Sequence, residues 1–354
     1  MITQRVNPDD PVLGFAHEWV RELSKHLEEL YVICYSAEHS VEIPQTVLYQ
    51  IAPRDGMMRI TKALNFYKSA LSILRHDKID GIFVHQIPLF AVLIYPIAKI
   101  KSLPVILWYT HGHISLTLRI AGKLVNKILT ATKESCRLES SKIKVIGHGI
   151  TIKKFSSIED KDRAAKAPRK TKKVLAVGRF SPSKDYETLI NAVRYLVIES
   201  GMHDMHLILI GNMLDDKDRA YYSMIRSKIT EYQLNEWITV QGAVSYQDIQ
   251  HYYHEADIVI STSRTGSLDK VIVEAMASRK PVITCLPLSE LFGPYGKDLM
   301  FTSGDDRELS KKIVDVLGWD ELRRKEITDY FFTVVNEQHS LTKLMNGIIV
   351  EFQT

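Results

Sequence analysis

The sequence predicts an α/β protein built from two doubly wound domains, each a parallel sheet covered by helices on both faces. Three observations carry this. Short β-rich runs alternate with amphipathic helical stretches along most of the chain. The alternation is interrupted once, near the middle, by a charged segment. The chain has 354 residues, 45% of them hydrophobic, which at about 100–200 residues per domain is enough for two cores.

In the first half, 31–35, 81–84, 104–109 and 144–146 read as buried strands, and 15–26 and 59–76 as helices. In the second of these helices Ile60, Leu64, Tyr67, Leu71 and Leu74 recur at helical spacing and define the expected apolar stripe. The chain opens close to its first strand, so that strand is expected to be short. Residues 156–172 are densely charged and lack apolar periodicity, which suits an exposed linker. The alternation then resumes with strands at 174–177, 206–210, 238–240, 258–260 and 281–285. Helices are expected at 186–198, 220–232, 246–254 and 272–277. Two such sheets facing each other would leave a cleft at the carboxyl ends of their strands, where ligands bind in folds of this kind.

Composition removes several classes. With 25% charged residues, 17 Gly, 12 Pro and no repetitive tract, the chain is not disordered, collagenous or of low complexity. Cys34, Cys136 and Cys285 are scattered and form no CxxC pair, which argues against a disulfide framework or a cysteine zinc site and for a reducing compartment. The longest apolar run, 87–98, contains Pro88 and Pro96 and falls short of the roughly 20 residues that span a bilayer. No basic-then-apolar leader opens the sequence, so a soluble cytoplasmic protein is expected. The net charge of +4 is uneven: 54–154 holds 17 Lys/Arg against 5 Asp/Glu. Such a field attracts nucleic acid, anionic lipid or phosphorylated small molecules, or is simply a solvated basic surface.

The first informative segment is 174–190. A strand ends at Gly178 and a helix begins near Asp185, the expected N-cap, with Leu189, Ile190, Val193, Leu196 and Val197 facing the core. Between them lie Arg179 and Lys184. A planar fork and a mobile point charge at the positive end of a helix suit a diphosphate, although two exposed cations on an ordinary loop would read the same way. In the second segment, 261–285, a polar loop leads into a short helix whose one acid, Glu274, is surrounded by apolar residues. An acid in that setting either binds hydroxyls, as a ribose-binding acid does, or is paired in the core.

The Gly178-Arg179-Phe180-x-x-x-Lys184-Asp185-Tyr186 segment, Gly242-Ala243-Val244 and the 256–261 strand all resemble the nucleotide-sugar glycosyltransferases of family 4 (glycosyltransferase group 1). So does Val273-Glu274-Ala275-Met276-Ala277-Ser278-x-Lys280-Pro281-Val282-Ile283. These are retaining enzymes of GT-B fold, in which two Rossmann-like domains face each other across a cleft. The resemblance is close over 173–285 and looser before it, at Gly14, Tyr109-Thr110-His111-Gly112 and Val145-Ile146-Gly147-His148-Gly149-Ile150.

The resemblance implies an acceptor-side domain over 1–155, a linker over 156–172, a nucleotide-sugar-binding domain over 173–330, and a helical segment, 331–354, returning to the first domain. It implies that Arg179 and Lys184 bind the donor diphosphate and stabilise the departing nucleotide. Glu274 would bind the ribose, and the backbone at Val244 would meet the base. Gly178 and the amides of Ser267, Leu268, Asp269, Lys270 and Val271 would contact the donor. Gly14 would let a first-domain loop approach donor or acceptor, and His111 would sit beside the reacting sugar. The substrate would be a nucleotide diphosphate-sugar, with no cofactor and no metal, and the acceptor a glycan or a lipid-linked glycan.

There are departures from the pattern. Position 266 is Gly where the family has the first Glu of a Glu-x7-Glu motif, and Asp269 and Lys270 replace a Gly and a hydrophobic residue. Arg279 stands where a Gly with positive φ is common. Asp160-Lys161-Asp162 and Asp216-Lys217-Asp218 spell D-x-D, but each reads as solvated charge. His111 and His113 lack companion ligands for a metal, and no Gly-x-Gly-x-x-Gly follows a strand. The basic stretch includes Phe66, Tyr67, Ile73, Phe83, Phe90, Tyr95 and Trp108, a composition that fits docking on an anionic inner leaflet, although most of these side chains are expected in the core. The rival readings are a sugar-nucleotide epimerase or phosphorylase of the same fold and a non-catalytic nucleotide- or glycan-binding relative. Nucleic-acid binding lacks any recognisable motif.

Overall fold

The structure, a computed structural model, describes residues 1–10, 12–37, 42–54, 56–75, 78–156 and 171–353. Most of the segment expected as a linker, with Asp160-Lys161-Asp162, lies outside the described residues. The chain divides into two compact units. Unit 1 comprises Met1–Thr151, Ser245–Gln247 and Gln338–Thr354; unit 2 comprises Ile152–Val244 and Asp248–Glu337.

In unit 1, β1 (Arg5–Val6) pairs with β3 (Ser36–Ala37), and β2 (Leu30–Cys34) with β4 (Thr46–Gln50). A four-stranded set follows in the order β5 (Ile82–His85), β6 (Val105–Trp108), β7 (Lys127–Thr130) and β8 (Ile143–Val145). All the pairs are parallel. Residues 1–3 join β2 to β5: Ile2 bridges both Ile33 and Val84, and its amide donates to the Phe83 carbonyl at 2.8 Å. The strand order thus reverses at residues 1–3, the topology of a doubly wound sheet.

One face of this sheet carries α2 (Arg59–Ile73), α3 (Pro88–Ile100) and α4 (Leu116–Leu124). Phe66, Ala70 and Ile73 of α2 share a core with Phe90 and Ile94 of α3 and Leu118 of α4. On the other face, α1 (Gly14–Ser24) and the helix Leu341–Gln353 meet over Trp19, Trp108 and Ile348.

The stripe expected to anchor α2 does not do so. Ile60, Leu64 and Leu71 are 72%, 64% and 52% exposed, while Leu74 is buried and Tyr67 half-buried. The helix has two apolar faces, and the one carrying Phe66 is buried. There Phe66 stacks on Phe90 with ring centroids 5.6 Å apart, and small Ala70 lets the helix lie close to the sheet. Of the aromatic and aliphatic residues weighed for a membrane surface, Phe66, Ile73, Phe83, Phe90 and Trp108 are core, and Tyr67 and Tyr95 are half-buried.

Residues 147–150 are fastened to 338–341. The Ile150 amide donates to the His339 carbonyl and the Leu341 amide to the Ile150 carbonyl, both at 2.8 Å. Gly147, at φ +88°, passes so close that a Cβ would lie 1.8 Å from the Gln338 carbonyl oxygen. His339 accepts from the His148 amide through Nδ1 at 3.1 Å, and burial lowers its pKa to about 4.

Unit 2 holds a five-stranded parallel sheet ordered β11 (Ile238–Gly242), β10 (Met205–Ile210), β9 (Lys172–Val177), β12 (Ile258–Ser261), β13 (Val282–Thr284). Here the order reverses at β9, which puts the switch point between β9 and β12. The helix Tyr186–Arg194 runs on into a π turn, Tyr195–Glu199, and Leu189, Ile190, Val193, Leu196 and Val197 are all buried as expected. The helix expected over 246–254 begins only at Ile249, because Tyr246 belongs to unit 1 and packs on Gly14. No helix of the described residues is long and apolar enough to cross a membrane.

Candidate functional site

In a doubly wound sheet the strands on either side of the switch point send their following loops apart, leaving a crevice at their carboxyl ends. In unit 2 those strands are β9 and β12. The loop after β9 carries Gly178, Arg179 and Lys184; the loop after β12 carries residues 262–269 and leads into the helix Lys270–Ala277. The two loops are fastened together. The Thr262 hydroxyl donates to the Lys184 carbonyl at 2.6 Å, and the Arg264 amide to the Ser183 carbonyl at 2.8 Å. At Gly178 the amide donates to Ile210 at 2.9 Å and the carbonyl accepts from the Tyr186 hydroxyl at 2.7 Å. A Cβ on Gly211 would come within 1.9 Å of that carbonyl, so Gly211 allows the close approach. Burial, together with the neighbouring Tyr221 and Asp269, drives the Tyr186 phenol well above its usual range, which keeps it a neutral donor.

Each loop cation stands against a carboxylate. Lys184 Nζ lies 2.6 Å from Asp269 Oδ2, and the Ser261 hydroxyl approaches the same oxygen at 3.3 Å. Arg179 Nε lies 3.5 Å from Asp218 Oδ2, and Arg264 Nη2 lies 2.5 Å from Asp185 Oδ2. Lys184–Asp269 is the pair with both side chains largely buried, and such a pair stands only with good geometry and added hydrogen bonds because ions lose hydration on burial. Lys184, Arg179 and Arg264 thus each face a carboxylate.

Two expectations need correction. Asp185 occupies the N-cap position but does not cap: its backbone is left-handed at φ +46°, and its carboxylate accepts from the Thr188 hydroxyl at 2.6 Å and pairs with Arg264. Asp216-Lys217-Asp218 is not all solvated loop charge. It begins the helix Asp216–Glu231, and Asp218 is buried, accepting from the Leu214 amide at 2.9 Å and facing Arg179.

Asp269 likewise occupies an N-cap position, before Lys270, without capping the helix, because its carboxylate is turned to Lys184. Leu268 and Val271 are buried and Ser267 is half-buried. Glu274 is buried on the helix and accepts a 2.8 Å hydrogen bond from the Tyr253 hydroxyl, which offsets the cost of a carboxylate in an apolar setting. Gly266 sits at φ +71°, a conformation that a glutamate there would adopt only under strain. Arg279 does hold φ +53°; its guanidinium pairs with Asp329 and lies 4.1 Å from the Phe332 ring centroid. Val244 follows β11 and is half-buried.

The structure thus brings Lys184 and Asp269 into contact and places Arg179, Gly178, Ser267, Leu268, Lys270, Val271 and Glu274 on the same two loops and the helix that follows. His111 and Gly14 belong to unit 1. His111 is exposed, and its Nδ1 accepts from the His113 amide at 3.1 Å. Gly14 is required by packing, since a Cβ would lie 2.7 Å from Tyr246 Cβ and 2.8 Å from the Pro8 carbonyl. Sequence reasoning missed Arg264, Asp218 and Tyr253. Arg264 stood in a polar loop already singled out, whereas nothing local marks Tyr253, 21 residues from its partner. Among the described residues, no group of three or more His, Cys, Asp or Glu is placed to hold a metal ion.

A doubly wound unit with two fastened loops and a buried acid at its switch point belongs to the α/β folds in which ligands bind at the carboxyl ends of the strands. Residues 157–329 match the family model for glycosyl transferases group 1, so this part of the chain is a group 1 glycosyltransferase domain. A curated relative, mannosylfructose-phosphate synthase of Agrobacterium fabrum, is 26% identical over 180 residues, 49% of this chain but only 39% of that protein. An uncharacterized glycosyltransferase of Methanocaldococcus jannaschii is 23% identical over 332 residues, 89% of this chain and 88% of its own length. Among solved structures, the Anabaena protein HepE in complex with UDP superposes with a TM-score of 0.74 at 16% identity, covering 100% of both chains. The likeness shows the fold: this chain is GT-B, with two Rossmann-like units.

Proposed function

We propose that the protein is a retaining glycosyltransferase that moves a sugar from a nucleoside diphosphate-sugar to a hydroxyl of a glycan or lipid-linked acceptor in cell-surface polysaccharide or glycolipid synthesis, on the cytoplasmic side of the membrane. The observation that carries this reading is the contact between Lys184 and Asp269 where the β9 and β12 loops meet, on the domain that matches the family. In the proposed reaction the acceptor oxygen bonds to the anomeric carbon as the bond from that carbon to the diphosphate breaks. The departing diphosphate takes the acceptor proton. Arg179 and Lys184 exchange their carboxylate partners for the diphosphate and stabilise its growing charge, and this electrostatic term is the largest contribution to rate. The step uses no carboxylate nucleophile, no divalent metal and no cofactor.

Glu274, held by Tyr253, is assigned to the ribose. Gly178 and residues 267–271 are assigned to the phosphates and donor sugar, and Val244 to the base. For His111, beside the reacting sugar, and for Gly14, the family resemblance alone supplies the role. HepE, solved with UDP, makes uridine diphosphate the first nucleotide to try.

A second reading, a non-catalytic nucleotide-sugar binder, is favoured by Gly266, which lacks a carboxylate and stands at positive φ. One experiment separates the two. Incubation with a panel of nucleoside diphosphate-sugars and simple glycoside acceptors, followed by NMR of the products, is expected to give a glycoside with the donor's anomeric configuration. An inverted product contradicts the retaining mechanism, product without acceptor supports an epimerase, and donor binding without turnover supports the binder.

A further inference from the structure

The chain leaves β5 through a strained turn. Gln86, the residue after the strand, holds φ +68°, and the Ile87 amide donates to the His85 carbonyl at 2.9 Å. That is the contact of a γ-turn with positive φ, a rare and strained form. The turn is confined on both sides. The Gln86 amide donates to the Trp108 carbonyl of β6 at 2.8 Å, and Pro88 opens α3, holding Ile87 extended at φ −106° and ψ 100°. Glycine would take φ +68° without strain, whereas glutamine takes it at a cost, and an outlier of this kind points to a use for the side chain.

That use is visible at the end of the next strand. Gln86 Nε2 donates to the Thr110 hydroxyl at 2.6 Å, and Gln86 Oε1 accepts from the Thr110 amide at 3.3 Å. Both ends of one amide grip a single residue, 24 positions away, just past the carboxyl end of β6. Thr110 leads directly into His111, and the loop beyond is closed on itself. The Tyr109 hydroxyl donates to the His113 carbonyl at 2.8 Å, and the His113 amide donates to His111 Nδ1 at 3.1 Å. A ring nitrogen that accepts carries no proton, so the neutral His111 ring holds its proton on Nε2. Gln86 is half-buried, and its strand lies beside residues 1–3, where the strand order reverses. The grip therefore sits at the carboxyl ends of the unit 1 strands, the edge at which ligands reach a doubly wound sheet.

We infer that Gln86 is a positioning residue: it fixes Thr110, and through it the 109–113 loop, so that His111 is presented to substrate in one orientation. This role rests on the transferase reading, in which His111 stands beside the reacting sugar; the grip itself does not.

Gln86→Gly removes the grip and the strain together, which separates positioning from stability. Its melting temperature is expected near wild type, while hydrogen exchange at the Thr110 amide of the full chain, followed by NMR, quickens about fivefold or more. With the donor and acceptor that give product in the nucleoside diphosphate-sugar screen, kcat should fall about tenfold to a hundredfold and the donor KM stay within about twofold. Gln86→Glu, whose carboxylate can accept from both the Thr110 amide and its hydroxyl, should restore most of the turnover and the slow exchange. In a His111→Ala background Gln86→Gly should lower kcat no further, because the one residue acts through the other. Unchanged exchange in Gln86→Gly, or wild-type turnover despite faster exchange, would overturn the inference, and so would full additivity with His111→Ala. No turnover by wild type with any donor of the screen, alongside faster exchange in Gln86→Gly, would count against the transferase reading while supporting the grip.

Discussion

The helices Tyr186–Arg194 and α2 both follow a parallel strand and lie on a sheet, yet they meet their surroundings differently. Tyr186–Arg194 and its π extension have one apolar face, and Leu189, Ile190, Val193, Leu196 and Val197 on it are all buried. Around α2 there are two: Phe66, Ala70 and Ile73 face the core, while Ile60, Leu64 and Leu71 face solvent. Burial of one face makes the first helix a packing element. A second apolar face on a helix already packed contributes little to folding the monomer.

The largest effect that distinguishes the two helices is expected at Leu189. Leu189→Ala removes a fully buried side chain and should cost about 2–5 kcal/mol in urea unfolding. A loss below that range would mean the helix can collapse onto the space it leaves, and the contrast with α2 would weaken.

Next comes the fastening of unit 1 at His339. Its pKa is about 4 in the folded protein, below the ordinary value near 6.5, so as pH falls the unfolded chain takes up a proton that the folded chain refuses. Stability should therefore be lost between about pH 6.5 and pH 4, and His339→Gln should flatten that part of a melting-temperature profile. An unchanged slope would place the acid sensitivity elsewhere.

A smaller effect is expected at Asp269. Asp269→Asn frees Lys184 and should tighten binding of a nucleoside diphosphate several-fold by calorimetry, because the anion no longer displaces a carboxylate. If Asp269 instead binds the donor sugar, the same variant would weaken nucleotide-sugar binding while leaving the bare nucleotide unaffected.

Smallest is Leu64→Ala, expected within about 0.5 kcal/mol of wild-type stability since the side chain is 64% exposed. A larger loss would mean this face of α2 is covered by protein.

The alternation of strands and helices was legible where a helix such as Tyr186–Arg194 carries a single apolar stripe and a strand such as Ile258–Ser261 a continuous buried run. In α2 the same rule found a stripe but chose the wrong face, since periodicity locates apolar residues and does not say which of two faces a sheet will take. At the site, Arg179, Lys184 and Glu274 stood out because charge among small or apolar residues is a local signal. Two of their partners did not, since Asp218 and Tyr253 are brought in by folding over 39 and 21 residues, and Asp269 stood out as a site residue but not as the partner of Lys184, 85 residues away. Asp185 misled for a related reason, because Arg264 and Thr188 outcompete the helix amides for its carboxylate.

In the proposed reaction a diphosphate takes the place of Asp269 at Lys184. Calorimetry of the whole protein against uridine, guanosine and adenosine diphosphates tests this most directly, with Lys184→Ala alongside. One saturable nucleotide site in wild type, weakened about a hundredfold in the variant, is the predicted result. No saturable binding across the panel, or equal affinity in Lys184→Ala, would contradict it.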